Sequence, residues 1–261
     1  MMKNWQCIIR NFVIAGFVFL FGYVKGFSQN DSVGQILGSI YKNYDSSLFL
    51  TFNTTYTYAS DTLFNDFTND QLTGSYTIYG SKIIYRLGDI EYLQNDSFLI
   101  AVYNGNKTII VANPNSSAMS RLPMRPQIDS LVQTYRSHFV INLLLSDRDS
   151  SMGQIQFLAT DTLAPFTKFS IYYDTTRYLM TGLEYEFLSI KAPSPDLDPA
   201  VQAQLSTIKR KQRLRIDFEN YRADNFDVDL YNENRYVWYE DGKYKGVEKY
   251  KDYRIFNLKT Q

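Results

Sequence analysis

"NKTIIVANPNSSAMSRLPMRPQIDSLVQTYRSHFVINLLLSD" (residues 106–147) changes its period partway along. Residues 108–111 are β-branched and with Ala112 read as a strand, and a polar, proline-bearing run follows. Behind Pro126, which suits the first turn of a helix, Ile128, Leu131, Val132, Tyr135, Phe139 and Leu143 recur three and four residues apart. The spacing predicts one amphipathic helix over residues 127–145, and its apolar stripe needs a sheet face beneath it.

The flanking sequence supplies that sheet. Leu48, Leu50, Phe52, Tyr56 and Tyr58 alternate with Thr51, Asn53, Thr55 and Thr57, the period of a half-buried strand. Leu72, Gly74, Tyr76 and Ile78 repeat the pattern, and "QNDS" (94–97) and "YNGN" (103–106) read as hairpin turns. Residues 72–112 are therefore expected to form an antiparallel meander, with Asn104-Gly105 in a type I′ turn. The sheet resumes at residues 154–159, 166–173 and 179–187, the last two joined by "DTTR" (174–177). "KAPSPDLDPAVQAQLSTIKRK" (191–211) reads as a proline loop and a short surface helix. Strands near residues 213–221, 236–239 and 253–258, with "EDGK" (240–243) as a turn, finish the chain. An N-terminal helix starts at Ser32, which forms a capping box with Gln35 and precedes the stripe Val33, Ile36, Leu37, Ile40, Tyr41 and Tyr44. The expected class is α+β, a sheet of about ten antiparallel strands that curls. With no long self-similar repeat and no low-complexity linker, one domain over residues 29–261 is the simplest account.

Residues 1–28 stand apart. Lys3 and Arg10 precede a short apolar run at residues 12–24, and Gly26 and Ser28 are small, the three-part pattern of a signal peptide. A mature chain from about Gln29 loses Cys7 and with it the only cysteine, which excludes disulfides, thiolate metal sites and cysteine nucleophiles. Without Lys3, Arg10 and Lys25, the 27 basic residues fall to 24 against 27 acidic ones, a net charge of −3 that offers no field for nucleic acid. Tyrosine is the outlier at 22 residues, a type that favours strands and half-wet concave surfaces. Five Asn-X-Ser/Thr sequons, beginning at Asn30, Asn53, Asn95, Asn106 and Asn115, read as chance in an Asn- and Thr-rich sequence that lacks a mature cysteine. The expected compartment is a bacterial periplasm.

The order of elements resembles the family of periplasmic lipoprotein carriers (LolA) and relatives such as the lipid-sensing domain of RseB. The correspondence runs through the helix at residues 33–44, the strand at 48–58, "LTGSYTIY", and "FLIAVYNGNKTIIVANP" with its Asn104-Gly105 turn. "VINLLLSD" resembles the end of the family's central helix, and "YLMTGLEYEF" its following strand. The resemblance covers nearly all of residues 29–261, and none of its motifs is specific by itself. It implies an open, incomplete antiparallel β-barrel with an N-terminal helix and a central lid helix over an apolar concave face that holds acyl chains. Gly80-Ser81 stands where the carriers have an arginine-proline pair, so the arginine that latches their lid has no counterpart here.

Groups suited to catalysis are sparse. His138 is the single histidine, and without a cysteine or a second histidine a transition-metal site would need carboxylates alone. Glu184 and Glu186 share one strand face and alternate with Leu183, Tyr185 and Phe187, as a solvent face does beside a core face; Asp196 and Asp198 sit in the proline loop. "DVDLYNENR" (227–235) lacks the glycine and terminal glutamate of a calcium loop. The basic run at residues 208–215, with Lys209, Arg210, Lys211 and Arg213, suits lipid headgroups or an anionic surface, and equally a solvated helix end and strand face.

These readings converge on a non-catalytic, exported protein without cofactor or metal. Its expected ligand is an acyl chain, a lipid or an acylated lipoprotein, held in a hollow lined by Leu50, Phe52, Tyr56, Tyr58, Tyr76, Ile78, Leu183, Tyr185 and Phe187. Ile128, Leu131, Val132, Tyr135 and Phe139 are the expected lid contacts, and membrane contact is at most peripheral. The aromatic positions also suit a self-filled core, which would leave a protein-binding or scaffolding module of an envelope assembly.

Overall fold

A computed structural model of the chain describes residues 32–60, 71–114, 124–145, 151–190, 209–223 and 227–259. The signal-like segment, the proline loop and the helix expected within residues 191–208 lie outside them. Helix α1 (Ser32–Ser46) buries Val33, Leu37, Ile40, Tyr41 and Tyr44, one face at helical spacing. The chain then forms β1 (Phe49–Ser60), β2 (Gln71–Tyr79), β3 (Lys82–Leu87), β4 (Ile90–Gln94), β5 (Leu99–Tyr103) and β6 (Thr108–Ala112). After α2 (Arg125–Thr134) come β7 (Phe139–Leu145), β8 (Met152–Ala159), β9 (Lys168–Asp174), β10 (Met180–Ile190) and β11 (Lys209–Arg222). The C-terminal strands are β12 (Val237–Glu240), β13 (Lys243–Gly246) and β14 (Arg254–Asn257).

One twelve-stranded sheet holds all but β12 and β13, in the order β14-β6-β5-β4-β3-β2-β1-β11-β10-β9-β8-β7. Two meanders thus meet where β1 pairs with β11, from Ser60 opposite Gln212 to Thr51 opposite Arg222. Its end strands are β14 and β7, so the sheet is not closed into a barrel. β14 lies parallel to β6, which corrects the expectation of a wholly antiparallel sheet. A parallel partner requires a long crossover, and residues 113–253 supply one.

Both faces of the sheet carry core. On the inner face, Leu50, Phe52, Ile78, Ile83, Phe157, Phe169, Leu183 and Ile216 pack with the buried sides of α1 and α2. Ile84 follows Ile83 in β3 and so points the other way, and there a second core joins Ile84, Leu93, Ile100, Val102, Ile109 and Val111 to Tyr231, Tyr236, Val237 and Tyr250. The C-terminal segment therefore covers the outer face of β3–β6. Tyr236 donates its hydroxyl to Glu91, and the Asn95 amide donates to the Tyr231 carbonyl (3.0 Å) and to Glu233 (2.8 Å). That engagement takes one of the five sequon asparagines inward.

The largest departure from expectation is the central helix. It ends at Thr134, a single turn of 3-10 helix at Arg136–His138 follows, and Phe139–Leu145 is edge strand β7. Phe139 and Leu143, four apart, share a face on a helix and on a strand alike, so the stripe could not distinguish the two. What decides is β8, which offers a complete ladder from Ala159 opposite Phe139 to Gly153 opposite Leu145. "VINLLLSD" therefore begins as strand through Leu145, against the expected helix end. Smaller corrections concern two turns of chain. Asn104-Gly105 lies in a 3-10 turn with Lys107 left-handed (φ 51°), rather than in a type I′ turn, and Asp89 fixes it by accepting from the Gly105 N–H (3.1 Å). The basic run enters β11 at Lys209, so it is the start of a strand and not a helix end.

Gly153 of β8 faces Tyr173 of β9, and a Cβ on it would stand 2.4 Å from the tyrosine ring. Tyr173 is buried there, closing the space a side chain would have filled. Gly153→Ala is expected to destabilise the fold by about 1–3 kcal/mol through overpacking. Urea denaturation checks this, with an unchanged m-value and a lowered midpoint as the expected outcome.

Candidate functional site

The registers place all nine expected hollow residues on the inner face. Leu50 lies opposite Ile78 and Phe52 opposite Tyr76 across β1 and β2. Tyr56 and Leu183 both pair with Ile216, and Tyr58 and Tyr185 both pair with Leu214, across β11. Phe187 lies two residues beyond Tyr185 on the same side. Covering by the helices divides the set. Leu50, Phe52, Ile78, Leu183 and Tyr185 are buried, whereas Tyr56, Tyr58, Tyr76 and Phe187 are only half-buried.

On the helix side, Ile128, Leu131 and Val132 are buried in the same core as α1, and Tyr135, just past the helix end, is half-buried. Phe139 is buried too, but from β7. A polar clamp ties α2 to α1: the Tyr41 hydroxyl donates to Asp129 (2.7 Å), and the Arg125 guanidinium sits 4.3 Å over the Tyr41 ring and 3.1 Å from Asp45. The apolar side of α2 is thus buried against the core it shares with α1. The less covered part of the inner face lies around Tyr56, Tyr58, Tyr76 and Phe187.

A row of tyrosines extends that part. Tyr76 stacks on Phe52 (4.9 Å between centroids) and on Tyr85 (4.3 Å), and Tyr85 on Tyr92 (6.1 Å), with Tyr103 edge-on to Tyr92. Adjacent rings cover one another's faces and leave the hydroxyls to meet: Tyr85 donates to Tyr56 (3.2 Å), and Tyr92 and Tyr103 share a hydrogen bond (3.1 Å). Burial pushes the phenols of Tyr56, Tyr76, Tyr85 and Tyr92 above their ordinary value, so all remain neutral donors and acceptors at physiological pH. Sequence reasoning missed Tyr85, Tyr92 and Tyr103. The signal was in two glycines: Gly80 and Gly88, both left-handed at φ 56°, make short turns whose registers bring Tyr76 opposite Tyr85 and Tyr85 opposite Tyr92.

The remaining candidates are engaged elsewhere. Glu184 and Glu186 both accept from Lys168 (2.9 and 3.1 Å) on the outer face, and Arg215 lies 3.6 Å from Glu184, so the two acids share one cation rather than flanking a cleft. His138 pairs with Asp161 (2.7 Å) on the surface. Asp227 and Asn232 cap the backbone of Asp229 and Asn234. Among the described residues no three His, Cys, Asp or Glu side chains gather as a metal site. Lys211 is exposed and Arg213 half-buried opposite Glu186, while Lys209 and Arg210 are placed as strand residues opposite Ile190 and Ser189. Asp196 and Asp198 lie outside the described residues.

No family model matches the chain, and no curated protein matches it. Similar solved structures include an uncharacterised conserved protein from Thermus thermophilus (6% identity, 87% of this chain and 99% of that one, TM-score 0.44). A LolA superfamily protein from Nitrosomonas europaea aligns over 76% of this chain and 96% of its own (8% identity, TM-score 0.32). The Pseudomonas aeruginosa MucA/MucB complex aligns over 76% of this chain and 59% of that one (12% identity, TM-score 0.40). LolA is thus named among the similar structures, as in the resemblance of element order. At these identities and TM-scores the likeness carries no function to this chain.

The turn between β9 and β10 holds the end of α1, because the Asn43 amide donates to the Arg177 carbonyl. Asp174 organises that turn. Burial raises its pKa, but donors from Thr176 (2.9 Å from N, 2.6 Å from Oγ1) and Arg177 (2.8 Å from N and from Nε) outweigh this and hold the carboxyl well below its usual 3.8. A lowered folded-state pKa stabilises the fold above the unfolded value and is lost as pH falls through the folded one. Asp174→Asn is expected to be less stable than wild type at pH 7, with the gap narrowing progressively below about pH 4. Paired denaturation curves from pH 7 to 2 check both the sign and the window.

Proposed function

We propose that the protein is an exported, non-catalytic carrier or sensor that holds an acyl chain, a lipid or a lipid-modified protein against the inner face of its open sheet. The observation that supports this is the uneven covering of one continuous apolar face. Helices α1 and α2 seal Leu50, Phe52, Ile78 and Leu183, but the same face runs on to Tyr56, Tyr58, Tyr76, Phe187 and Leu214, which are only half-buried. A sheet that does not close leaves that face approachable, and each methylene buried against it contributes about 0.8 kcal/mol. No helix among the described residues is long and apolar enough to cross a membrane. Headgroup contact, where it occurs, falls to the start of β11 through Lys209, Arg210, Lys211 and Arg213.

A second reading has its own observation. β7 is an end strand whose Val140, Leu143, Leu144 and Leu145 are exposed, and such an edge can be extended by a strand of another protein. This would make the chain a scaffolding module of an envelope assembly. Mass spectrometry of organic extracts separates the two: co-purifying lipid supports the carrier, while clean extracts together with a stable protein complex support the scaffold.

Phe187→Asp puts a charge on the half-covered face and is expected to reduce retained lipid about tenfold or more. Leu188→Asp, one residue along on the exposed outer face, is the matched control and is expected to retain lipid as wild type does. Equal retention in both variants would remove the inner face as the binding surface.

A further inference from the structure

Among the described residues β7 has a strand partner on one side only, because it ends the sheet beyond β8. Its backbone groups alternate between the two sides. The Thr160 N–H donates to the His138 carbonyl (2.9 Å), whereas Ala159, opposite Phe139, turns its N–H the other way to Thr167 (3.0 Å). By that alternation Val140, Asn142 and Leu144 bond to β8, and the carbonyls of Phe139, Ile141, Leu143 and Leu145 point out of the sheet edge with the N–H groups of the last three. Phe139 gives its own N–H to the Arg136 carbonyl. Natural sheets blunt an open edge with charge, proline or a bulge. "FVINLLL" (139–145) has no charge and no proline, its ladder with β8 has no register shift, and Val140, Leu143, Leu144 and Leu145 are between 41% and 69% exposed. The opposite end of the sheet is guarded: β14 is four residues long and begins with the exposed Arg254.

The strand is complementary to itself. Its one polar residue, Asn142, is the midpoint of the seven. Antiparallel pairing of two copies about a two-fold axis there sets Ile141 opposite Leu143 and Phe139 opposite Leu145 on the inner face, and Val140 opposite Leu144 on the outer face. The outward N–H and carbonyl of Ile141 then meet those of Leu143 in the second copy, so backbone bonding and side-chain matching agree on one register. On the axis Asn142 meets Asn142 of the second copy, and each amide offers both a donor and an acceptor. Asn142 is half-buried, and its bond to Gln156 is long at 3.4 Å. A slip of two residues would set the amide against Val140 or Leu144, and a slip of one would put the backbone groups out of phase and mix the faces. A foreign strand places no demand on the midpoint of β7, whereas a two-fold axis matches it.

We propose that β7 pairs antiparallel with β7 of a second copy of this chain, about a two-fold axis through Asn142, so that two twelve-stranded sheets become one. The inference goes beyond the carrier reading and does not rest on it. Such pairing closes at two copies, because it uses the same edge of both. The test is sedimentation equilibrium of the purified full chain, with single-cysteine cross-linking in a Cys7→Ser background. Expected is a monomer–dimer equilibrium at concentrations up to about 100 μM, weakened about tenfold or more by Asn142→Lys, which sets two like charges on the axis. Cα atoms of a non-hydrogen-bonded antiparallel pair lie about 4.5 Å apart, within disulfide range, so Asn142→Cys is expected to join two copies under mild oxidation. Leu144→Cys is expected not to, because its counterpart across the axis is Val140. The cysteine variants carry the test if Asn142→Lys fails to fold. A chain that stays monomeric, oligomers beyond two, cross-linking through Leu144→Cys and not through Asn142→Cys, or a β7 that pairs only with a different protein overturns the inference. Lipid retention, measured separately, decides the carrier reading whichever way this test falls.

Discussion

The pairing of β1 with β11 is the constraint on which the rest depends. It joins residues near the start of the described chain to residues far along it, Tyr56 opposite Ile216, and turns two separate meanders into one sheet. Neither half alone could assemble the inner face, since Phe52 and Ile78 come from one meander and Leu183 and Phe169 from the other. Pairing across so long a stretch of chain carries a large loop-closure entropy, and the apolar sides of the two helices, packed with residues of both meanders in one core, help to offset it.

Much of this architecture was legible as period. Alternation at residues 48–58 and 72–78, turn residues at 94–97 and 240–243, and the helical stripe of residues 33–44 all correspond to elements of the right type. Alternation grouped residues by face, but which face of each strand turns inward was not legible, since aromatic residues occur on both. Illegible were the places where two periods coincide. Phe139 and Leu143 satisfy helix and strand together, and only the presence of β8 as a ladder partner decides between them. The parallel union of β14 with β6 was hidden for a related reason: four residues, Arg254–Asn257, carry no mark of direction.

The site was read less completely than the fold. Sequence supplied residue types and faces but not cover, and cover divides Leu50 and Ile78, sealed under helices, from Tyr58 and Phe187, which are not. It also overlooked how far the aromatic row runs, because Tyr85, Tyr92 and Tyr103 join it only once the turns at Gly80 and Gly88 have fixed three registers in succession. The tyrosine excess is thereby explained as a structural device. Rings stacked face to face across strands fill the floor of a wide sheet, and their hydroxyls give that floor a polar tip that phenylalanine would lack.

The C-terminal segment packs against the outer face of β3–β6, while among the described residues the outer face of β8–β11 carries the half-buried Gln154, Gln156, Lys168 and Arg215 around the buried Glu184. One half of the sheet is thus gripped from both sides by apolar packing, while the outer side of the other half is gripped by the ion pairs of Lys168 and Arg215 with Glu184 and Glu186, a hold that added salt weakens, whereas oil-to-oil contact does not feel it.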